Sequence, residues 1–138
     1  MNKHLKLFAL VCSCLLGGPR LAAAHHSFAA IFDKDRPITL NGVLTRVDWT
    51  NPHMFFHVDV TNSGGQVEHW AFESYPPSMM ARQGWNRDTV KPGDRVTVTG
   101  WRTRNGDRPL AGGNKMTLPD GRVLAIGATS EAENGEPQ

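Results

Sequence analysis

The chain has 138 residues with 15 basic and 13 acidic side chains, which gives a formal net charge of +2. This length is that of one small domain. So weak a net charge argues against nucleic-acid binding, which requires a clustered basic surface. Both cysteines, Cys12 and Cys14, lie close to the amino terminus.

The first 24 residues have the three-part order of a cleaved signal peptide. A basic segment at residues 3–6 precedes an apolar run at 7–16, and small residues at 22–24 form the expected cleavage site. The apolar run is shorter than the roughly 20 residues that cross a bilayer as a helix. We therefore predict export to the periplasm, with no membrane span after cleavage. The alternative is a lipoprotein signal, in which Cys14 is acylated and anchors the protein.

Removal of the predicted signal changes what the domain can do chemically. Three basic residues and no acidic residue leave with residues 1–24, so the remaining 114 residues carry a net charge of −1. Both cysteines leave as well, and the mature chain has no thiolate for metal binding or catalysis. Any metal ion must be held by histidine, carboxylate, methionine or the terminal amine. We predict one domain over residues 25–128 and a polar, disordered tail over 129–138.

Alternation of apolar and polar residues predicts an all-β domain. The predicted strands, separated by turn residues, cover residues 38–49, 53–60, 66–73, 95–101, 115–118 and 122–126. A short helix is predicted from residues 76–78 to Gly84, between the third and fourth strands. This chain order, with five or six strands and one short helix, is that of a small OB-like β-barrel. A small β-sandwich is the alternative.

The alternation also predicts which side chains share a face of the sheet. One face of the second strand carries Met54, Phe56, Val58 and Val60. The opposite face carries His53, Phe55, His57 and Asp59. In the third strand, Trp70 and Phe72 share one face and His69 lies on the other. In the first strand, Gly42 is predicted to mark a bulge or bend, and the residues that alternate with polar neighbours are Val43, Thr45, Val47 and Trp49.

Two adjacent histidines, His25 and His26, directly follow the predicted cleavage site. Cleavage after Ala24 makes His25 the amino-terminal residue, and its α-amine and imidazole Nδ1 can then chelate one metal ion. The unperturbed pKa values of these groups, roughly 8 and 6.5, allow both to be deprotonated near neutral pH. Tetragonal nitrogen sites of this kind favour Cu(II). Cleavage one residue earlier would place a histidine third, an arrangement that also binds Cu(II) or Ni(II).

The other mature histidines are His53, His57 and His69, all in the first half of the domain. His53 and His57 are four residues apart along one strand, roughly 13 Å, and cannot both ligate one ion from a straight strand. His69 lies across the predicted hairpin and can approach either. The predicted metal site therefore combines His25 and His26 with one of His53, His57 or His69.

The sequence predicts no catalytic machinery. It lacks a nucleophile elbow, a glycine-rich phosphate loop and a zinc-protease helix motif, so an enzyme is the less favoured interpretation. The predicted function is a periplasmic copper buffer or carrier. The alternative is a non-enzymatic accessory module that binds a small molecule or partner protein at a barrel face around His53, Phe55, Trp49 and Trp70.

The mature start, residues 24–30, resembles that of a family of small secreted bacterial proteins with a domain of unknown function. Further matching segments are residues 42–47, 48–53, 70–73, 84–85, 91–94 and 117–122, so the resemblance covers most of residues 25–126. It implies export and a single domain. Its motif residues correspond to His25, His26, Asn51, Pro52 and His53. It implies no established activity.

Overall fold

A computed structural model describes residues 28–106 and 108–127. His25 and His26, the predicted signal and the predicted tail at 129–138 lie outside the described residues. The described residues form two short helices, α1 (Phe28–Ile31) and α2 (Pro77–Arg82). The strands are β1 (Phe32–Asp48), β2 (Phe55–Thr61), β3 (Val67–Glu73), β4 (Arg95–Thr103), β5 (Leu110–Thr117) and β6 (Val123–Ala125).

Five of the strands close into a ring. β1 pairs with both β2 and β4, β2 with β3, and β4 with β5, all antiparallel. A parallel pairing of Ala71–Glu73 in β3 with Leu110–Gly112 in β5 completes the circle, and β6 adds to the edge of β5. The prediction of a small all-β, OB-like barrel is confirmed.

The core fills the inside of the ring, where β-branched, aromatic and sulfur-containing side chains alternate with outward polar ones. The predicted inward set of β2, namely Met54, Phe56, Val58 and Val60, is buried, and so are Trp70 and Phe72 of β3. Their partners are in register: Phe56 lies opposite Phe72 and Val58 opposite Trp70. The two faces predicted for this hairpin are therefore correct.

The predicted pattern of β1 is wrong in its first half. Leu44 is fully buried, whereas Thr45 is exposed and Val43 only half-buried. The pairing of β1 with β2 shifts between Leu44 and Arg46, and such a bulge switches which residues face inward. After the shift, Val47 packs against the core, as does Trp49.

Gly42 has a different role from the bulge predicted there. A Cβ at this position would overlap the backbone oxygen of Asp59 and the Val58 side chain, so glycine allows β1 and β2 to approach closely where they cross. Two strand starts also differ from the prediction. β1 begins at residue 32 instead of 38, and β5 at residue 110 instead of 115.

The helix α2 closes one end of the barrel between β3 and β4. Pro77 stands at its first turn, where a missing N–H costs nothing, and Gly84 follows its end with φ 88°. Met80 is fully buried in the core. Trp85 packs on Phe56 at 5.2 Å between ring centroids and donates its indole N–H to the Ala125 carbonyl at 2.9 Å. No helix in the described part of the chain is both long enough and apolar enough to cross a membrane.

Candidate functional site

The outward face of β1, β2 and β3 carries three histidines, and each of them faces a carboxylate. The pairs are His57 with Asp48, His69 with Asp59, and His53 with Glu73. They lie on this face because their neighbours of opposite parity are the buried core residues of β2 and β3.

His57 belongs to a three-residue cluster with Asp48 and Arg46 of β1. Its Nε2 lies 2.7 Å from Asp48 Oδ2 and 3.0 Å from Arg46 Nη2. One ring nitrogen cannot donate to the carboxylate and accept from the guanidinium at once. The shorter distance assigns the proton to the bond that His57 donates to Asp48. Arg46 also binds Asp48, with its Nε 2.9 Å from Oδ1.

This cluster changes the acidity of Asp48. Partial burial acts to raise the pKa of the Asp48 carboxyl, but the hydrogen bond and charge of His57, with the charge of Arg46, outweigh it. The net result is a pKa below the ordinary value. Asp48 therefore stays ionised at neutral pH and holds the His57 ring in one orientation.

His69 forms the most exposed of the pairs. Its Nδ1 lies 2.6 Å from Asp59 Oδ1 across the β2–β3 hairpin, where the two residues are direct partners. The His69 side chain is 79% exposed. A shallow cleft of about 330 Å³ runs along this part of the face, lined by Thr45, Arg46, His57, Asp59, His69 and Trp70.

His53 lies just before β2 and faces the end of β3. Its Nδ1 is 3.1 Å from the Ser74 carbonyl oxygen and 3.5 Å from Glu73 Oε1. Donation of the Nδ1 proton to Ser74 leaves the lone pair on Nε2. The side chain of His53 is 45% exposed and that of Glu73 is 19% exposed. The Asn51–Pro52 peptide before His53 is cis.

The three histidines do not converge on one point. Each has its own carboxylate, and the described residues contain no group of three or more histidine, cysteine, aspartate or glutamate side chains that could hold a metal ion. His25 and His26, the other members of the predicted site, lie outside the described residues. The predicted combination of a terminal histidine with one barrel histidine remains a prediction.

The chain just after those two histidines is fixed to the barrel. The Phe28 ring packs on Phe32 and Trp101, at 4.8 and 5.6 Å between centroids. A Cβ at Gly112 of β5 would lie only 2.5 Å from Phe28 Cζ and 2.9 Å from Phe32 Cδ2. Gly112 thus forms a socket for these rings. Arg104 adds hydrogen bonds from its Nε to the Ala29 carbonyl at 2.6 Å and from its backbone N–H to the Ile31 carbonyl at 2.9 Å.

The aromatic face predicted around His53, Phe55, Trp49 and Trp70 is not formed. Trp70 points into the barrel and is buried, opposite Val58, while Phe55 is on the other side of the sheet. The Trp70 indole N–H donates to Glu68 Oε2 at 2.9 Å, and the Arg102 guanidinium lies over the Trp70 ring at 4.9 Å from its centroid. Asn62 donates to the other oxygen of Glu68 at 3.1 Å. The pKa of Glu68 is lowered by the hydrogen bonds from Asn62 and Trp70.

Sequence reasoning identified the histidines but missed their carboxylate partners. Asp48, Asp59 and Glu73 are adjacent to the histidines only through strand register, which parity alone does not give. Asp59 could have been identified from the sequence as a neighbour of the histidines, because it shares the predicted outward face with His57. The anchoring role of Gly112 was missed because a glycine in a strand does not show which side chain occupies the space it leaves.

A family model matches residues 14–113 of the chain: the family of unknown function DUF6152. The chain belongs to this family. No curated protein and no solved structure matches the chain. The resemblance to a family of unknown function that the sequence motifs indicated is thereby confirmed.

Proposed function

We propose that the protein is exported to the periplasm and that its mature form binds copper through an amino-terminal His25, as a buffer or carrier. The observation that carries this proposal is the order of signal-like segment, Ala22-x-Ala24 and the doublet His25-His26. The α-amine and imidazole of one residue form a chelate whose nitrogen donors suit Cu(II).

The anchored position of Phe28 supports this proposal. A flexible tail that binds a metal must lose its conformational freedom on binding, whereas a tail fixed nearby loses less. Phe28 is only three residues after His25, and its ring is held between Phe32, Trp101 and Gly112. A metal site at His25 would therefore be only three residues from a point that is fixed on the barrel.

The test is a Cu(II) titration of mature protein whose first residue is verified as His25 by mass spectrometry. The matched control is the same protein with its amino terminus acetylated, which keeps every side chain and removes only the terminal chelate. Tight one-to-one binding with nitrogen hyperfine structure in the electron paramagnetic resonance spectrum is expected, with much weaker binding in the control. Equal, weak binding by both proteins would refute the copper proposal.

The second candidate is an accessory module that binds a small polar ligand. A cavity of about 370 Å³ favours it, with a lining of Asn41, Gly42, Val43, Asp59, Thr61, Arg95, Val96, Thr97, Thr117 and Leu118. Its volume is in the range of small-molecule sites. Ligand-induced chemical shift changes at Thr61 and Thr97, without metal, would support this function, and their absence across a library of small polar compounds would count against it.

A further inference from the structure

The end of the barrel that α2 does not close holds two opposite charges. β3 and β5 run parallel, and β4 runs antiparallel to β5, so the start of β3 lies at the same end as the last residues of β4. α2 follows the end of β3 and closes the other end with the buried Met80. Glu68 is near the start of β3 and Arg102 is near the end of β4. These two residues therefore belong to the same mouth of the barrel.

Glu68 and Arg102 continue the inward-facing pattern of their strands. Glu68 is two residues before Trp70, which is buried. Arg102 is four residues after the buried Val98 and is the register partner of the buried Ala111. Charged side chains are costly to bury inside a barrel. Glu68 and Arg102 are only half-buried, because the strands end there and both charges reach solvent at the mouth.

The Arg102 guanidinium is positioned by the face of an indole. Its Cζ lies 4.9 Å from the centroid of the Trp70 ring, a contact in which the ring attracts the cation. This contact uses the charge of the guanidinium and leaves its five N–H donors for hydrogen bonds. Among the described residues, no acceptor takes a hydrogen bond from Arg102. Arg102 is therefore held in place with its donors available to a ligand.

The Glu68 carboxylate is fixed at the edge of the same indole. Trp70 Nε1 donates to Glu68 Oε2 at 2.9 Å, and Asn62 Nδ2 donates to Oε1 at 3.1 Å. The hydrogen bonds from Asn62 and Trp70 hold the pKa of Glu68 below its ordinary value, and the charge of Arg102 acts in the same direction. A carboxylate has about four lone-pair sites. Glu68 is therefore ionised at neutral pH and can accept further hydrogen bonds.

A cleft lies at this mouth, between the two charges. Its volume is about 410 Å³, and it is lined by Glu68, Trp70, Arg102 and Pro109. Pro109 is fixed to β3, because its carbonyl accepts a hydrogen bond from the Ala71 N–H at 2.9 Å. Within residues 28–106 and 108–127, Arg102 and Glu68 form no ion pair with each other. The cleft has the volume of a small-molecule site, and the mouths of β-barrels are common places for such sites.

We propose that this cleft binds a small zwitterion with one carboxylate and one ammonium group, the chemistry of a free amino acid. The ligand carboxylate binds Arg102, whose guanidinium matches it with two parallel hydrogen bonds. The ligand ammonium group donates to Glu68. A simple anion is disfavoured by the negative charge of Glu68, and a simple cation by the positive charge of Arg102. This site goes beyond the proposed function, since it requires neither copper nor His25, and it is distinct from the cavity lined by Asn41 and Thr97.

Nitrogen–proton correlation spectra can test this proposal through the indole N–H signal of Trp70, which borders the cleft. The probes are glycine and β-alanine, which differ in the distance between their charges. Acetate and methylammonium are the singly charged controls. At least one zwitterion should shift the Trp70 signal saturably and bind about 10-fold or more tightly than either control, since each lacks one charged hydrogen bond. No saturable shift with either zwitterion, or equally tight binding of acetate, would overturn the proposal.

Two substitutions test the assigned roles. Arg102→Lys keeps a positive charge on a long stem over Trp70 but lacks the paired donors, and it should weaken zwitterion binding about 10-fold. Glu68→Gln keeps the size of the side chain and removes its charge. It should weaken zwitterion binding by a similar factor without weakening acetate binding, which distinguishes loss of charge from loss of fold.

Arg108→Gln is the matched control, because it removes one positive charge from an exposed residue beside Pro109 that does not line the cleft. Zwitterion affinity in this variant should stay within about twofold of wild type. A loss as large as that of Arg102→Lys would indicate a diffuse effect of charge and overturn the role of Arg102. A parallel loss of acetate and zwitterion binding in Glu68→Gln would overturn the role of Glu68.

Discussion

Two regions of the barrel surface hold their residues together by different means. At the β4–β5 surface, Phe28, Phe32 and Trp101 interlock over Gly112, and both Phe32 and Trp101 are buried. On the β1–β2–β3 face, the contacts are hydrogen-bonded histidine–carboxylate pairs such as His69 with Asp59, open to solvent. Apolar packing depends on shape and burial, whereas exposed ion pairs contribute little because water screens them.

Geometry and chemistry are therefore separated in this molecule. The aromatic socket determines where the amino-terminal segment meets the barrel, while the histidine–carboxylate pairs supply polar atoms with defined orientations. Changes in the socket should lower the stability of the fold and displace α1, which begins at Phe28. Changes on the polar face should leave the fold intact and alter only local protonation or binding.

The largest effect is expected from Phe32→Ala. Phe32 is 1% exposed, and truncation of a buried Phe to Ala costs about 3–5 kcal/mol through lost burial and the remaining cavity. Urea denaturation would measure the free energy of unfolding. Val67→Ala is the control, because Val67 is 53% exposed and its truncation should change stability by less than about 0.5 kcal/mol. Similar effects of the two substitutions would contradict the contrast between the regions.

The second effect is that of Gly112→Ala. The new Cβ would lie 2.5 Å from Phe28 Cζ and 2.9 Å from Phe32 Cδ2, and overpacking of this kind costs about 1–3 kcal/mol. Displacement of the Phe28 ring should also change the fluorescence of the neighbouring Trp101. Gly64→Ala is a suitable control, since the nearest atom to its Cβ would be Asn62 Oδ1 at 3.4 Å. A stability change no larger than that of the control would show that the socket is not tightly filled.

The sequence predicted most of the barrel because the strands carry clear alternation. Met54, Phe56, Val58 and Val60 are separated by polar or outward residues, so their burial follows from period two alone. Two segments carried no such signal. Residues 33–37 of β1 are mostly charged, and residues 111–113 of β5 are Ala-Gly-Gly, so neither resembles a strand by composition. Residues 111–113 form a strand because their pairing partners in β3 and β4 complete the ring, whereas residues 33–36 lie where the pairing of β1 with β4 is irregular, between Phe32 and Pro37.

The candidate site was predictable only in part, for a related physical reason. Residue type and parity identified His53, His57 and His69 as outward histidines. Their partners depend on register between strands, which is set by a bulge after Leu44 and by the turn at residues 62–65. The inward position of Trp70 was available from its parity with Phe72. The prediction that Trp70 shares a face with Phe55 is therefore wrong, and the alternation of β3 already indicates the opposite face.

The smallest effect is expected at Asp48 and has a defined pH dependence. The pKa of Asp48 is lowered in the folded protein, because the His57 and Arg46 interactions outweigh the effect of burial. The unfolded state therefore binds more protons between the folded and unfolded pKa values, so stability rises with pH through that window. The contribution of Asp48 to the free energy of unfolding is complete above its ordinary pKa of 3.8. It is lost as the pH falls through the lower pKa that Asp48 has in the folded protein. Asp48→Asn should remove this acid-range dependence while lowering stability at pH 7 by less than about 1 kcal/mol.

Denaturation of wild type and Asp48→Asn from pH 7 down to pH 2.5 measures this effect. Asp88→Asn, at an exposed turn, removes the same charge without a histidine partner and serves as the control. The difference in unfolding free energy between wild type and Asp48→Asn should shrink below about pH 4 as Asp48 of the wild type is protonated. A difference that stays constant with pH would mean that the charge pair contributes nothing and that Asp48 acts only through shape. Asp48 would then act through packing, as the residues of the aromatic socket do, and the two regions would not differ in the way described above.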